Sequence, residues 1–152
     1  MEAPWLYTHL LGVALFVGGV CTASICRHAA NSMSKPSDIA MILGVARKAA
    51  PLVAFGLIVV LISGCMLVDH EYSFSEAWVI AALSLVVWML IVGGVAGRSD
   101  RKTRELAEAE CDNVTVSDQL TTRLHDKVTI SLNISMIVAI IIILALMVWK
   151  PA

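Results

Sequence analysis

Residues 128–149 read VTISLNISMIVAIIIILALMVW, a run without Asp, Glu, Lys or Arg. A helix needs about 20 apolar residues to cross roughly 30 Å of hydrocarbon, so this run is long enough to span a bilayer. A transmembrane β-strand would instead alternate apolar and polar residues over about ten positions. The run therefore predicts a membrane-spanning helix.

Three more charge-free runs precede it along the chain, at residues 5–26, 51–68 and 77–97. We predict a single all-α domain over residues 1–152, a polytopic membrane protein whose four transmembrane helices form an antiparallel bundle. The first run is not expected to be a cleaved signal peptide, because the segment before it, residues 1–4, is acidic rather than basic.

The composition agrees with a membrane protein. Of the 152 residues, 59% are hydrophobic and 15% are charged, whereas soluble domains carry about 45–50% and about 25%. This excludes a disordered chain and an ordinary cytosolic protein. The net charge of −1 excludes a nucleic-acid binder, which needs an excess of basic residues to neutralise phosphates. The expected partner is the lipid bilayer.

The basic residues of the loops predict the orientation, because Lys and Arg concentrate on the cytoplasmic side. Loops 27–50 and 98–127 together hold ten of them, loop 69–76 holds none, and Lys150 is the eleventh. We therefore expect loops 27–50 and 98–127 to be cytoplasmic and loop 69–76 to be outside. Both termini would then lie outside the cytoplasmic (inner) membrane of a bacterium.

Both cytoplasmic loops carry helix signals. Ser37 or Asp38 can cap a short helix that lies at the interface or extends the second helix inward. Residues 98–111 are rich in Ala, Glu, Lys and Arg, so the third helix is expected to continue into the cytoplasm. Ser117 or Asp118 can then cap a new helical start that leads into the fourth span.

One histidine lies inside a predicted span, and a polar group there needs a partner or a function. This is His9, near the outer end of the first helix. His70 ends the second helix on the same side, and Met66 lies one turn deeper on the same face as His70. Imidazole and thioether suit haem iron or copper. His9 with Met66 or His70 is thus a candidate cofactor site for haem b or copper, with His9 and His70 as candidate metal ligands. Alternatively, His9 bonds a carbonyl, a hydroxyl or water.

Small residues indicate where the helices touch, since they let two backbones approach closely. We expect Gly18 and the Gly93–Gly97 face to be contact surfaces. The four cysteines form no CxxC pair and are expected to be free apolar residues. No span contains Asp, Glu, Lys or Arg, which argues against a proton pump or a coupled transporter. No nucleophile–base pair or phosphate loop is present, so no catalytic residue is assigned.

The first helix reads His9-Leu10-Leu11-Gly12 and then Phe16-Val17-Gly18-Gly19. This resembles the His-x-x-Gly…Gly-Gly opening of a group of small bacterial four-helix membrane proteins. The group comprises predicted integral membrane proteins of unassigned function, copper-resistance-D-like proteins and HemJ-like protoporphyrinogen oxidases. Ser63-Gly64 is similar to their Ser/Thr-Gly pair, and residues 147–151 are similar to their closing apolar-Lys-Pro signature.

Three functions are open. The absence of catalytic groups and the compact layout favour the first, and the resemblance implies the other two. As a b-type haem-binding or accessory subunit, the chain would join other membrane-protein subunits of a respiratory or electron-transfer complex, or form a homo-oligomer. As a HemJ-like oxidoreductase of haem biosynthesis, it would use His9 for haem, but the membrane-embedded lysine of those enzymes is absent. As a copper-resistance-D-like permease, it would handle copper, with Met66, His70 and Met147 as available ligands.

Overall fold

A computed structural model describes residues 3–71, 73–113 and 115–149, apart from the side chains of residues 3, 70 and 71. The predicted all-α fold is confirmed, because this part of the chain contains helices and no strand. The helices are α1 (Ala3–Ala30), α2 (Pro36–Glu71), α3 (Ala77–Ala109), α4 (Asp118–Leu124) and α5 (Lys127–Trp149). Four helical segments are long and apolar enough to cross a membrane: α1, α2, α3, and α4 together with α5.

Helix α2 is continuous from Pro36 to Glu71 and joins the segment predicted to be a cytoplasmic loop to the second span. The sequence left open whether the segment before Pro51 is a separate interfacial helix or an inward extension, and the structure shows the extension. Pro51 lies inside the helix, where it lacks an N–H for the carbonyl of Arg47. A membrane helix tolerates such a proline because neighbouring groups can satisfy the freed carbonyl.

Helix α3 continues past the predicted span, as expected, and ends at Ala109. Its cytoplasmic turns carry two ion pairs at i,i+4 spacing, Arg101–Glu105 at 2.7 Å and Arg104–Glu108 at 2.5 Å. Such pairs lie one above the other on the same helix face and support the exposed turns.

A short helix leads into the last span. Ser117 caps α4, because its hydroxyl accepts a hydrogen bond from the N–H of Leu120 at 3.1 Å. Asp126 likewise caps α5, because its carboxylate accepts a hydrogen bond from the N–H of Val128 at 3.2 Å. The chain therefore bends between Leu124 and Lys127 before it enters the apolar run.

Helices α1 and α2 pack closely because glycines remove the side chains between them. A Cβ on Gly56 would lie 2.6 Å from the backbone nitrogen of Phe16, and one on Gly19 would lie 3.2 Å from the backbone nitrogen of Val53. Since Gly12 likewise faces Val60, higher numbers on α1 meet lower numbers on α2. The pair is antiparallel.

The predicted contact at Gly18 is wrong. Among the described residues, no atom outside the adjoining backbone of α1 lies within 4 Å of where its Cβ would be, and the same holds for Gly94 and Gly97 on α3. On α3, Gly93 does make a contact, with the Met136 side chain of α5. The face of α1 that meets α2 carries Gly12 and Gly19 instead, because each residue turns the helix by about 100°.

Two groups of buried side chains hold the fold together. One lies within the spans between α1, α3 and α5, and the other lies at the end of the bundle that carries loops 27–50 and 98–127, where it packs the two loops together. The first group contains Phe16, Val20, Met89, Ala139 and Ile140. The second contains Ala30, Ile39, Ala40, Leu43, Ala107, Leu120 and Leu124.

Candidate functional site

The buried imidazole of His9 meets α2 through a hydroxyl. Its Nδ1 lies 3.2 Å from Oγ of Ser63, and this oxygen lies 2.5 Å from the carbonyl oxygen of Val59. A serine hydroxyl has one proton. If that proton is donated to Val59, the N–H in the contact belongs to Nδ1 and the lone pair is on Nε2. A neutral imidazole that donates from one nitrogen is arranged to bind a metal or accept a proton at the other.

Gly64 makes room for the ring. A Cβ at this position would lie 3.2 Å from Cε1 of His9, which is tighter than nearly all such contacts. The Ser63-Gly64 pair therefore has two separate roles, since the first residue orients the imidazole and the second allows it to approach α2. Both roles follow from the placement of adjacent residues on the face of α2 towards α1.

His9 borders a pocket of about 240 Å³ between the outer ends of the spans. Most of its lining is apolar, and Trp78 and Phe74 contribute rings from α3 and the preceding loop. Two sulfur-bearing side chains also line it, Cys65 from α2 and Met147 from α5. The pocket is smaller than the roughly 300–1,000 Å³ of sites for drug-sized ligands, so it suits a small ligand or an ion.

The structure separates His9 from one of its predicted partners. Met66 does not line the pocket, and 40% of this residue is exposed. The side chain of His70 lies outside the described residues, so its pairing with His9 stays a prediction. Cys65 lies where the sequence reasoning expected Met66. The sequence could have indicated Cys65, because the spacing of Leu61, Gly64 and Cys65 places the three residues on one face of the helix.

A second polar site, at the end of the bundle that carries loops 27–50 and 98–127, was not predicted from the sequence. Arg27, at the end of α1, is buried and donates from Nη1 to Oδ1 of Asp100 on α3 at 2.7 Å. Its Nη2 donates to the carbonyl of Arg123 in α4 at 2.9 Å. A bound cation suits the carbonyl end of a helix. Arg27 thus connects three helices at the membrane boundary.

The connection continues from α3 to α5 through hydroxyl groups. Oγ of Ser99 lies 3.0 Å from Oγ1 of Thr129, and Thr129 donates to Asp126 at 2.8 Å. Thr129 is buried. With the Arg27 contacts, these bonds hold the cytoplasmic ends of α1, α3 and α5 in one arrangement.

A cleft of about 550 Å³ lies between the α1–α2 pair and the α3–α5 pair. Its interior is lined by apolar side chains and by the glycines of α3 that meet no neighbour, Gly94 and Gly97. Arg47, Arg101 and Arg104 line its mouth, at the end of the bundle that carries loops 27–50 and 98–127. The cleft is larger than the outer pocket and falls within the range of ligand sites.

One comparison with known proteins identifies a relationship. A family model described as "Predicted integral membrane protein (DUF2269)" matches residues 5–151. No curated protein and no solved structure matches the chain. The match covers all four membrane spans, the outer pocket and the cleft.

Proposed function

Because the chain belongs to the DUF2269 family of predicted integral membrane proteins, we propose that it is a non-catalytic accessory protein of the bacterial inner membrane. It assembles with other membrane-protein subunits or with further copies of itself. Both termini lie outside, and loops 27–50 and 98–127 lie in the cytoplasm, as the distribution of Lys and Arg favours.

One observation carries the proposal: α1 exposes a face of small residues that no other helix of the chain covers. Ala14, Gly18, Cys21 and Thr22 are all exposed. They lie about one turn apart along one side of the helix. Thr22 donates its hydroxyl proton to the carbonyl of Gly18 at 2.8 Å, so the face presents little polarity. Small residues at this spacing are typical of surfaces where two membrane helices pack.

Other exposed faces of the chain carry large apolar side chains instead. Ile141 of α5 is 61% exposed, and Phe55 of α2 is 60% exposed. Such side chains suit contact with lipid, since acyl chains adapt to any apolar surface. The contrast between these faces and the small-residue face of α1 supports assembly through α1.

The assembly is testable with the cysteine that lies on this face. In a variant whose only cysteine is Cys21, mild oxidation in native membranes should give a disulfide-linked product, either a dimer of this chain or a heavier adduct with a partner. A matched variant that keeps only Cys65 should give none. Gly18→Leu should reduce the purified assembly to a single chain, whereas Gly44→Leu should not. A mass unchanged by Gly18→Leu would contradict the proposal.

Haem b, held by His9 with Met66 or with His70, stays a prediction. The pocket beside His9 has a volume of about 240 Å³, and Met66 does not line it. We assign no step of the function to haem.

Copper handling is a second candidate function, and the donor set of the outer pocket favours it. His9, Cys65 and Met147 line the same pocket. Imidazole, thiolate and thioether are the ligands that copper(I) prefers. His9 would bind through Nε2, because Nδ1 donates to Ser63. The ion would be the cargo or ligand of the accessory protein.

Metal analysis after incubation with copper(I) tests this second candidate. Wild-type protein should retain about one copper per chain, and His9→Ala, Cys65→Ser and Met147→Leu should each lose it. Met66→Leu, His28→Ala and His125→Ala should retain it. Equal retention by wild type and Cys65→Ser would exclude the site, and loss in Met66→Leu would restore the ligand set predicted from the sequence.

A further inference from the structure

The cleft between the two helix pairs has a polarity gradient along its length. At the cytoplasmic end it is lined by Arg47, Arg101 and Arg104, and at the other end by Phe16 and Leu57. Helix α2 rises about 15 Å from Arg47 to Leu57 at 1.5 Å per residue. This is half of the roughly 30 Å thickness of the hydrocarbon core. The cleft therefore has the length of one leaflet.

The arginines at the mouth are not equivalent. Arg101 and Arg104 pair with glutamates of their own helix. Arg47 makes no hydrogen bond or ion pair with any residue that the structure describes, and its side chain is exposed. Asp100, the acidic residue of the lining, is bound by Arg27. Glu105 is close enough to interact electrostatically with Arg47, but it is already hydrogen-bonded to Arg101. Three arginines against two glutamates leave the mouth with a net positive charge.

Two further polar side chains of the lining lack partners within the described part of the chain. Ser24 on α1 and Asn133 on α5 line the cleft and form no hydrogen bond there. Other hydroxyls of the spans, such as those of Thr22 and Ser84, bond the carbonyl one turn earlier. Asn133 lies about 9 Å along α5 from Lys127. A side-chain amide without a hydrogen-bond partner at that depth costs free energy in hydrocarbon. This indicates that a molecule other than this chain supplies the partner.

We propose that this cleft binds one anionic phospholipid from the leaflet on the side of loops 27–50 and 98–127. The phosphate pairs with Arg47, and the ester region meets Ser24 and Asn133. One acyl chain runs along the surface left open by Gly94 and Gly97. The order of positive charge, polar groups and apolar wall in the cleft matches the order of chemical groups in such a lipid. This proposal is independent of assembly through α1.

Native mass spectrometry of the full chain in detergent tests the proposal with two lipids of identical acyl chains, a phosphatidylglycerol and a phosphatidylethanolamine. Wild-type protein should bind the first phosphatidylglycerol about fivefold more tightly, as expected for one basic residue near a headgroup of net negative charge, because the ammonium of phosphatidylethanolamine cancels the charge of its phosphate. Arg47→Gln should remove the preference. Arg98→Gln, which changes an exposed arginine outside the cleft, should keep it.

A second pair of variants tests the position of the acyl chain. Gly94→Leu should abolish binding of the first lipid, because the new side chain fills the cleft. A Cβ at position 94 would meet no neighbouring atom of the described residues within 4 Å, so the substitution should not disturb the packing of α3. Gly18→Leu, on the exposed face of α1, should leave lipid binding unchanged while it disrupts assembly. Asn133→Leu serves as an independent variant and should weaken binding of both lipids.

Three outcomes would overturn the proposal. One is equal affinity of the wild type for the two lipids, and another is unchanged lipid binding by Gly94→Leu and Asn133→Leu. The third is a lower assembly mass for Gly94→Leu with normal lipid binding, which would mean that a helix of another chain occupies the cleft. A loss of assembly that is seen only in Gly18→Leu concerns the accessory function. It does not contradict the lipid site.

Discussion

The imidazole Nδ1 of His9 on α1 lies 3.2 Å from the hydroxyl oxygen of Ser63 on α2. Both side chains are buried. If the serine proton goes to the carbonyl of Val59, which lies 2.5 Å away, the contact favours the imidazole form that is protonated at Nδ1. Ser63 is therefore a positioning residue for whatever binds at Nε2.

Removing this hydroxyl should lower stability. Ser63→Ala leaves the Nδ1 proton without its acceptor, and we expect a loss of about 1 kcal/mol, typical of hydrogen bonds between membrane helices. Thermal unfolding in detergent measures it. Ser131→Ala, at an exposed serine of α5, is the matched control and should have no effect. Equal effects of the two substitutions would mean that the contact contributes nothing.

The Arg27–Asp100 pair should matter more, because only 4% of the arginine side chain is exposed. Arg27→Met leaves Asp100 without its counter-charge and the end of α4 without a donor, so we expect a loss of about 3 kcal/mol. Arg27→Lys should restore little of this stability, because the lysine ammonium lacks the planar guanidinium that donates to Asp100 and to the carbonyl of Arg123 at the same time. The readout is the same unfolding measurement, with Arg98→Met as the exposed control. If Arg27→Lys proves as stable as wild type, charge alone explains the role of Arg27.

The two helix pairs should respond differently to an added methyl group. Gly56→Ala places a Cβ 2.6 Å from the backbone of α1, and overpacking of this kind costs about 1–3 kcal/mol. Gly94→Ala meets open space and should be neutral or slightly stabilising, because alanine favours the helix. Detergent stability and expression yield report the difference. A tolerant Gly56 would show that α1 and α2 are farther apart than the structure places them.

The orientation can be checked by labelling. Cys111 is free and exposed in the loop after α3. As the only cysteine of a variant, it should react with an impermeant maleimide only after the cells are opened. Ser75→Cys in the short outer loop should react in intact cells. Reversed labelling of the two positions would invert the orientation expected from the basic residues.

The sequence by itself determined the features that depend on local composition. A run such as residues 128–149 has no charge, so a membrane helix is its only stable arrangement in a bilayer. The cap at Ser117 also follows from the sequence, because a hydroxyl at a helix start bonds an N–H three residues away. The extension of α3 into the cytoplasm has the same origin, in the helix propensity of residues 98–109.

Only the tertiary structure decided how each helix is rotated. In a soluble helix the apolar stripe marks the buried side, but α5 is apolar all round, so its sequence does not indicate which residues face the neighbours. Adjacent positions point about 100° apart. For this reason Cys65 rather than Met66 joins His9 at the outer pocket, and Gly19 rather than Gly18 meets α2. The role of Arg27 likewise depends on partners far away in the chain, which the packing of α3 and α4 brings to it.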